Sequence, residues 1–295
     1  MSRIKATIIV NIIISLSFSL SVYAEKPSIL KSEHLKYGAP NYVPNNPRTQ
    51  LINREGYSLL FDKAKKTPLW VSYRLKKDYT IARTRRPKSK AFKPDPLIPI
   101  KFQADRSDYR RSGWDRGHLA PAGDMKRSRQ IALETFYFSN IIPQNHNMNS
   151  GAWAKLEHLG HMYAKKYHDI TIITGPIYRM PLPDGSRHSS IGKNRIGIPN
   201  WLYKIFIRKD DAGKHYALAF IMPNQPIRKN TKLNQYIVSI NKLENWTKLK
   251  FLNALPTSLQ SKMKSTKPAT LWPFKIKKGP KKPFVPRITP KRFSQ

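Results

Sequence analysis

A chain of 295 residues with 55 lysines and arginines against 17 aspartates and glutamates carries a formal charge of +38. That excess goes beyond ordinary surface mixing and points to polyanions as partners. The absence of cysteine excludes disulfide scaffolds, thiol nucleophiles and cysteine-ligated zinc. The fold must therefore hold by its core, which is feasible for one large domain of this length.

The first 24 residues read as a secretory leader. Arg3 and Lys5 precede an apolar run from Ala6 to Val22, and Val22, Tyr23 and Ala24 place small residues at the usual cleavage positions. On that reading the protein is exported to the periplasm or the exterior, and the mature chain keeps no membrane span. Residues 25–53 are proline-rich and polar and are expected to form an extended arm ahead of a catalytic domain over residues 54–261. Residues 69–75, 203–207 and 216–222 alternate or run apolar with β-branched and aromatic side chains, which predicts sheet. Residues 170–174 read as a short buried strand ended by Gly175 and Pro176, residues 153–167 as a helix packed on the sheet, and residues 238–252 as a second helix. An α+β domain follows. From 262 to 295 the chain is basic, rich in proline and free of acids, a composition that builds no core of its own. It is either a solvated tail or an arm that tracks phosphate and stacks Trp272, Phe274 or Phe284 on bases.

The most informative stretch is residues 112–125, SGWDRGHLAPAGDM. Arg116 and His118 flank Gly117. A guanidinium balances charge on a phosphate, and an imidazole titrating near neutrality takes a proton from water. These are the demands of phosphodiester hydrolysis. An isolated Arg-His pair is more often an ordinary structural feature, so the next segment carries the weight. Asn140, Asn149 and Glu157 follow in FYFSNIIPQNHNMNSGAWAKLEHLG, residues 136–160.

Taken together, DRGH at 115–118, SNxxPQ at 139–144 and NxGAWAxLE at 149–157 resemble the DNA/RNA non-specific endonuclease family, the ββα-metal nucleases, in order, spacing and residue type. Weaker echoes at YSLLFDKAKKTPLWVSYRL from Tyr57, ITGPIY from Ile173, IGIPNWLYKIFI from Ile196 and FIMPN from Phe220 extend the likeness over roughly residues 36–256. The resemblance implies an α+β fold with an antiparallel-sheet core, flanking helices and a ββα-metal (His-Me finger) active site. It also implies a Mg²⁺-dependent enzyme, with Mn²⁺ as a substitute, that cuts DNA and RNA to leave 5′-phosphates.

The family's roles transfer position by position. His118 resembles the general base, its ring oriented by a neighbouring carbonyl. Asn149 corresponds to the single protein ligand of the magnesium, and Glu157 to the residue that organises water around it and helps the leaving group. Asn140 is expected to position the phosphate or buttress the site, and Arg116 to neutralise charge building on phosphorus. Arg85, in TRRP beside Arg83 and Arg86, matches a further phosphate-binding arginine. Asp115 reads as structural support. His158 and His161, one turn apart, lack a third acidic ligand and the HExxH spacing, and read as surface residues, with His146 at most near the metal.

Two other functions fit the charge. A cationic protein could hold nucleic acid or another polyanion on a degenerate nuclease fold, but the intact His118, Asn149 and Glu157 favour catalysis. A membrane-active protein is disfavoured by the lack of a long amphipathic basic helix.

Overall fold

The computed structural model describes residues 32–228 and 230–274, so the leader reading of residues 1–24 and the end of the tail, with Phe284, lie outside the described residues. Strands β1 (Thr49–Asn53), β2 (Ser58–Asp62) and β3 (Thr67–Lys76) form an antiparallel meander. Helix α1 (Arg106–Tyr109) precedes β4 (Asp115–His118), and α2 (Arg129–Glu134) separates that strand from β5 (Ile141–Gln144). After β5 come α3 (His146–Met148), one π turn over Asn149–Trp153, and α4 (Ala154–Tyr167). Strands β6 (Asp169–Ile177), β7 (Ser190–Ile191), β8 (Ile196–Gly197), β9 (Trp201–Lys209), β10 (His215–Pro223) and β11 (Ile237–Val238) follow. Helices α5 (Ile240–Thr247) and α6 (Thr257–Ser265) come last.

Among the described residues, seven strands form one sheet in the order β1-β2-β3-β6-β9-β10-β11, antiparallel throughout. The two-residue period of a strand gives this sheet two apolar faces. On one, Tyr73, Leu75, Ile172 and Phe206 pack with Trp153, Leu156 and Tyr163 of the π turn and α4. On the other, Trp70, Ile173, Tyr203 and Ile205 meet Leu243 of α5, Met263 of α6 and Leu35. Burying a large apolar side chain is worth about 1.5–3 kcal/mol, so each face holds its helices firmly. The hairpin of β4 and β5 lies outside the main sheet. Followed by α3, the π turn and α4, it makes the ββα unit of an α+β fold, as expected.

Several boundaries differ from expectation. The segment 25–53 is not an arm throughout: a 3-10 turn at Glu33–Leu35 buries His34 and Leu35, and β1 pairs with β2 along its whole length. Strand β6 does not stop at Gly175. Pairing with β3 ends at Thr174 while pairing with β9 continues through Ile177, so the N–H that Pro176 lacks is not needed on the β3 side. The helix expected over 238–252 is shorter. Val238 pairs with Ala219, Ser239 caps α5 by accepting from the Lys242 N–H, and Lys248 ends it in the left-handed region at φ 62°. The described part of the basic tail packs on the domain. Trp272 is buried against Tyr163, with ring centroids 5.0 Å apart, and Tyr167 donates its hydroxyl proton to the Pro273 carbonyl at 2.6 Å.

Candidate active site

The β4-β5 hairpin sets the site through its register, in which Asp115 faces Gln144, Gly117 faces Ile142 and His118 faces Ile141. Gly117 is the position that tolerates no side chain, because a Cβ there would come within 2.1 Å of the Gln144 amide. Alternation along β4 then sends Arg116 and His118 to one side. Both meet Phe92: the Arg116 guanidinium lies 4.7 Å over its ring and the His118 ring is 5.3 Å away.

A groove of about 650 Å³ opens here, lined by Arg116, His118, Asn149 and Glu157 together with Arg86, Asp115, Asp124, His158 and His161. Four of the residues singled out in the sequence therefore converge on one cavity. His118 is 9% exposed and its Nε2 is buried without a hydrogen-bond partner. Its ring is held by Phe136, edge-on at 4.9 Å, and by Phe92, in place of the carbonyl expected to orient it. Loss of solvation pulls its pKa down to about 3, with Arg86 and Arg116 pushing the same way. The imidazole is neutral at pH 7.

Asn149 opens the π turn, half-buried, and donates its Nδ2 proton to Asp115 Oδ2 at 2.8 Å. The same carboxylate meets His146 Nδ1 at 3.0 Å. Asp115 is thus part of the groove wall. Glu157, one turn into α4, has its pKa raised to about 7, first by loss of solvation and then by Asp124, against the pull of Lys204 and Arg86. Asp124 is itself buried, accepting from the Tyr73 hydroxyl at 3.2 Å and facing His161 Nδ1 at 3.3 Å. His158 and His161 consequently border the groove, although among the described residues no three acidic or histidine side chains are grouped to hold a metal.

Of the other two expected site residues, Asn140 takes the buttressing one of its two expected roles and Arg85 lies outside the groove. Asn140 is fully buried beneath the hairpin, where Oδ1 accepts from Ala120 N at 2.9 Å and Nδ2 donates to the carbonyls of Ala120 and Thr135 at 3.0 and 2.9 Å. With all of its polar atoms engaged it has nothing left for a phosphate, and it buttresses the segment after His118. In the TRRP segment Arg86, and not Arg85, lines the groove.

Three residues escaped the sequence reading: Phe92, Asp124 and Lys204. Lys204 lies on β9, fully buried, its Nζ 4.6 Å over the Trp153 ring and without a hydrogen-bond partner. Burial lowers its pKa, while Glu157 and Asp124 draw it back up. A lone lysine inside the continuous buried run LYKIFI was the available signal.

Comparison with known proteins agrees with this geometry. The sequence matches the DNA/RNA non-specific endonuclease family over residues 34–258. It is similar to the mitochondrial nuclease EXOG of Danio rerio, 38% identical over 203 residues, covering 67% of this chain and 59% of that protein. It therefore spans about three fifths of that relative's length. The mitochondrial nuclease of Saccharomyces cerevisiae is 36% identical over 239 residues, covering 77% of this chain and 71% of that protein. Among solved structures, EndoG from the EndoG/EndoGI complex superposes with a TM-score of 0.69 at 29% identity, covering 79% of this chain and 94% of that chain. These relatives are mitochondrial proteins, which overturns the expectation of export to the periplasm or exterior. The basic start, the serines and the lack of acids in residues 1–24 are shared by secretory and mitochondrial targeting segments, so composition there did not discriminate. By sequence match and by its ββα unit, the chain belongs to the DNA/RNA non-specific endonuclease family.

Proposed function

We propose that this protein is a Mg²⁺-dependent endonuclease, able to use Mn²⁺, that hydrolyses phosphodiester bonds of DNA and RNA and leaves 5′-phosphate ends. One observation carries the reading: a neutral imidazole, a guanidinium that forms no ion pair among the described residues, an amide oxygen and a carboxyl of raised pKa line a single groove.

Each group has a task that its surroundings suit. Arg116 receives the scissile phosphate, its planar donors matching the non-bridging oxygens. His118, kept neutral by burial, takes a proton from the attacking water. Glu157, whose carboxyl pKa is raised by burial, is placed to help the departing 3′ oxygen. A base pushed down and an acid pushed up by their environments are the pairing that acid-base chemistry at pH 7 requires. Asn149 fits a magnesium ion because it offers a neutral oxygen donor, held in place by Asp115. When bound, the cation supplies positive charge to the phosphoryl and leaving oxygens. Arg116 and His118 address the backbone and read no base edge, so low sequence specificity follows.

The test is nicking of supercoiled plasmid and cleavage of a matched RNA, with Mg²⁺ and with EDTA, followed by enzymatic ligation of the products to detect 5′-phosphates. Cleavage of both substrates in Mg²⁺ alone is expected. Folded protein that binds DNA and cuts neither substrate would return the chain to a polyanion-binding role.

A further inference from the structure

Beside the catalytic groove lies a second, of about 680 Å³, whose walls carry Arg106, Arg110, Arg111, Arg116 and Trp114. Asp115 and Arg116 line both grooves, so the two adjoin at β4. Among the described residues none of these four guanidiniums forms an ion pair, whereas Arg54, Arg74 and Arg127 each meet a carboxylate. Four cations against the one carboxylate of the groove, Asp115, leave an excess of positive charge that favours an anion between them.

The turn that presents them is braced. Arg111 and Gly113 take left-handed conformations, at φ 56° and 80°. Ser112 Oγ donates to the Tyr109 carbonyl at 3.0 Å and accepts from the Trp114 N–H at 3.2 Å. Arg110 and Arg111 are exposed, and the half-buried Trp114 stands edge-on to His188 at 4.7 Å. The volume falls in the range of clefts that hold a drug-sized ligand, which for a polyanion is a nucleotide or two. An indole among guanidiniums suits alternating bases and phosphates better than a polyanion with no flat apolar group.

We propose that this groove binds the nucleic-acid strand beyond the bond being cut, with Arg106, Arg110 and Arg111 on successive phosphates and Trp114 against a base. The inference rests on the reading of the neighbouring groove as the cleavage site, and names the track along which that site holds its substrate.

The experiment measures fluorescence anisotropy of a labelled duplex of roughly 20 base pairs in EDTA over a range of salt concentrations. Wild type is compared with Arg106→Gln/Arg110→Gln/Arg111→Gln. A charge-matched control, Lys242→Gln/Lys248→Gln/Lys262→Gln, alters α5, α6 and the residue ending α5 on the opposite face of the sheet. The arginine variant is expected to bind tenfold or more weakly at about 0.1 M salt. Its slope of log K against log salt should flatten by about 2 to 3, since each phosphate contact contributes about 0.9, while the control changes by less than one contact. Thermal melting checks the fold, and the exposed single changes Arg110→Gln and Arg111→Gln, each expected to remove about one contact, replace the triple variant if it melts early. An unchanged slope, or equal losses in variant and control, overturns the proposal. Cleavage in Mg²⁺ is scored separately. Wild type that binds as described but does not cut removes the nuclease reading and leaves the groove standing, whereas wild type that cuts with an unchanged slope in the arginine variant removes the groove alone.

Discussion

Asn149 Nδ2 donates to Asp115 Oδ2 at 2.8 Å. An ionised carboxylate only accepts hydrogen bonds, so this contact turns the NH₂ end of the amide toward Asp115 and leaves Oδ1 as the end available to a cation. The aspartate of DRGH thus sets the orientation of an oxygen 34 positions away in the chain. Asp115→Ala releases the amide. The Mg²⁺ concentration for half-maximal cleavage is expected to rise about 10- to 100-fold, as when a partner orienting a metal ligand is lost, with part of the rate recovered at saturating Mg²⁺. Titration of the cleavage rate with Mg²⁺ reads this directly, and an unchanged requirement returns Asp115 to pure support.

His118→Ala addresses the base. Cleavage should fall by about 10²- to 10⁴-fold, the usual cost of losing a positioned general base, while affinity for DNA in EDTA stays close to wild type. Single-turnover rates beside anisotropy separate the two quantities. A loss of less than about tenfold in folded protein would take His118 out of that role.

The environment that keeps His118 neutral also links stability to pH. Its folded pKa, about 3, lies below the ordinary 6.5, so between those values the unfolded chain binds the extra proton. Stability from this group is complete above pH 6.5 and is lost as pH falls toward 3. At pH 4.5 the loss is roughly 2 to 3 kcal/mol, from about 1.4 kcal/mol per pH unit. Urea unfolding in EDTA at pH 7 and pH 4.5 measures it. His118→Gln, which cannot titrate, should lose correspondingly less over the same interval, and an identical loss would place the acid sensitivity elsewhere.

The parts of the site legible in the sequence are those where residue type alone constrains chemistry. DRGH and NxGAWAxLE carry an imidazole, a guanidinium, an amide and a carboxyl at fixed spacing, and Arg116, His118, Asn149 and Glu157 do share one groove. The central strands were legible because β9 and β10 each carry a continuous run of apolar, aromatic and β-branched residues, buried over six consecutive positions. What failed depended on side-chain direction or on partners distant in sequence. Strand β1 has one buried residue, Ile52, in five, too weak a pattern beside prolines to mark a strand. Arg85 and Arg86 lie in irregular backbone, where adjacent side chains point apart and no periodicity says which way. The carbonyl expected at His118 gave way to Phe92 and Phe136, which approach from 26 residues before and 18 after.

Asn140 shows the same limit most sharply, since an asparagine that holds backbone and one that holds phosphate look alike in sequence. Its amide bridges Ala120 N, the Ala120 carbonyl and the Thr135 carbonyl, tying the chain two residues past His118 to the approach to β5. Asn140→Ala strands those three buried groups at about 1 to 3 kcal/mol each if none finds water. Partial rescue by solvent makes a total loss of roughly 3 to 5 kcal/mol the expected outcome in urea unfolding. Affinity for DNA in EDTA, measured where the variant is still folded, should keep the wild-type salt slope because no phosphate contact has been removed. A direct phosphate ligand would behave in the opposite way, with stability nearly unchanged and the slope flattened by about 0.9. That pair of results would move Asn140 from beneath the hairpin's chemistry to its substrate.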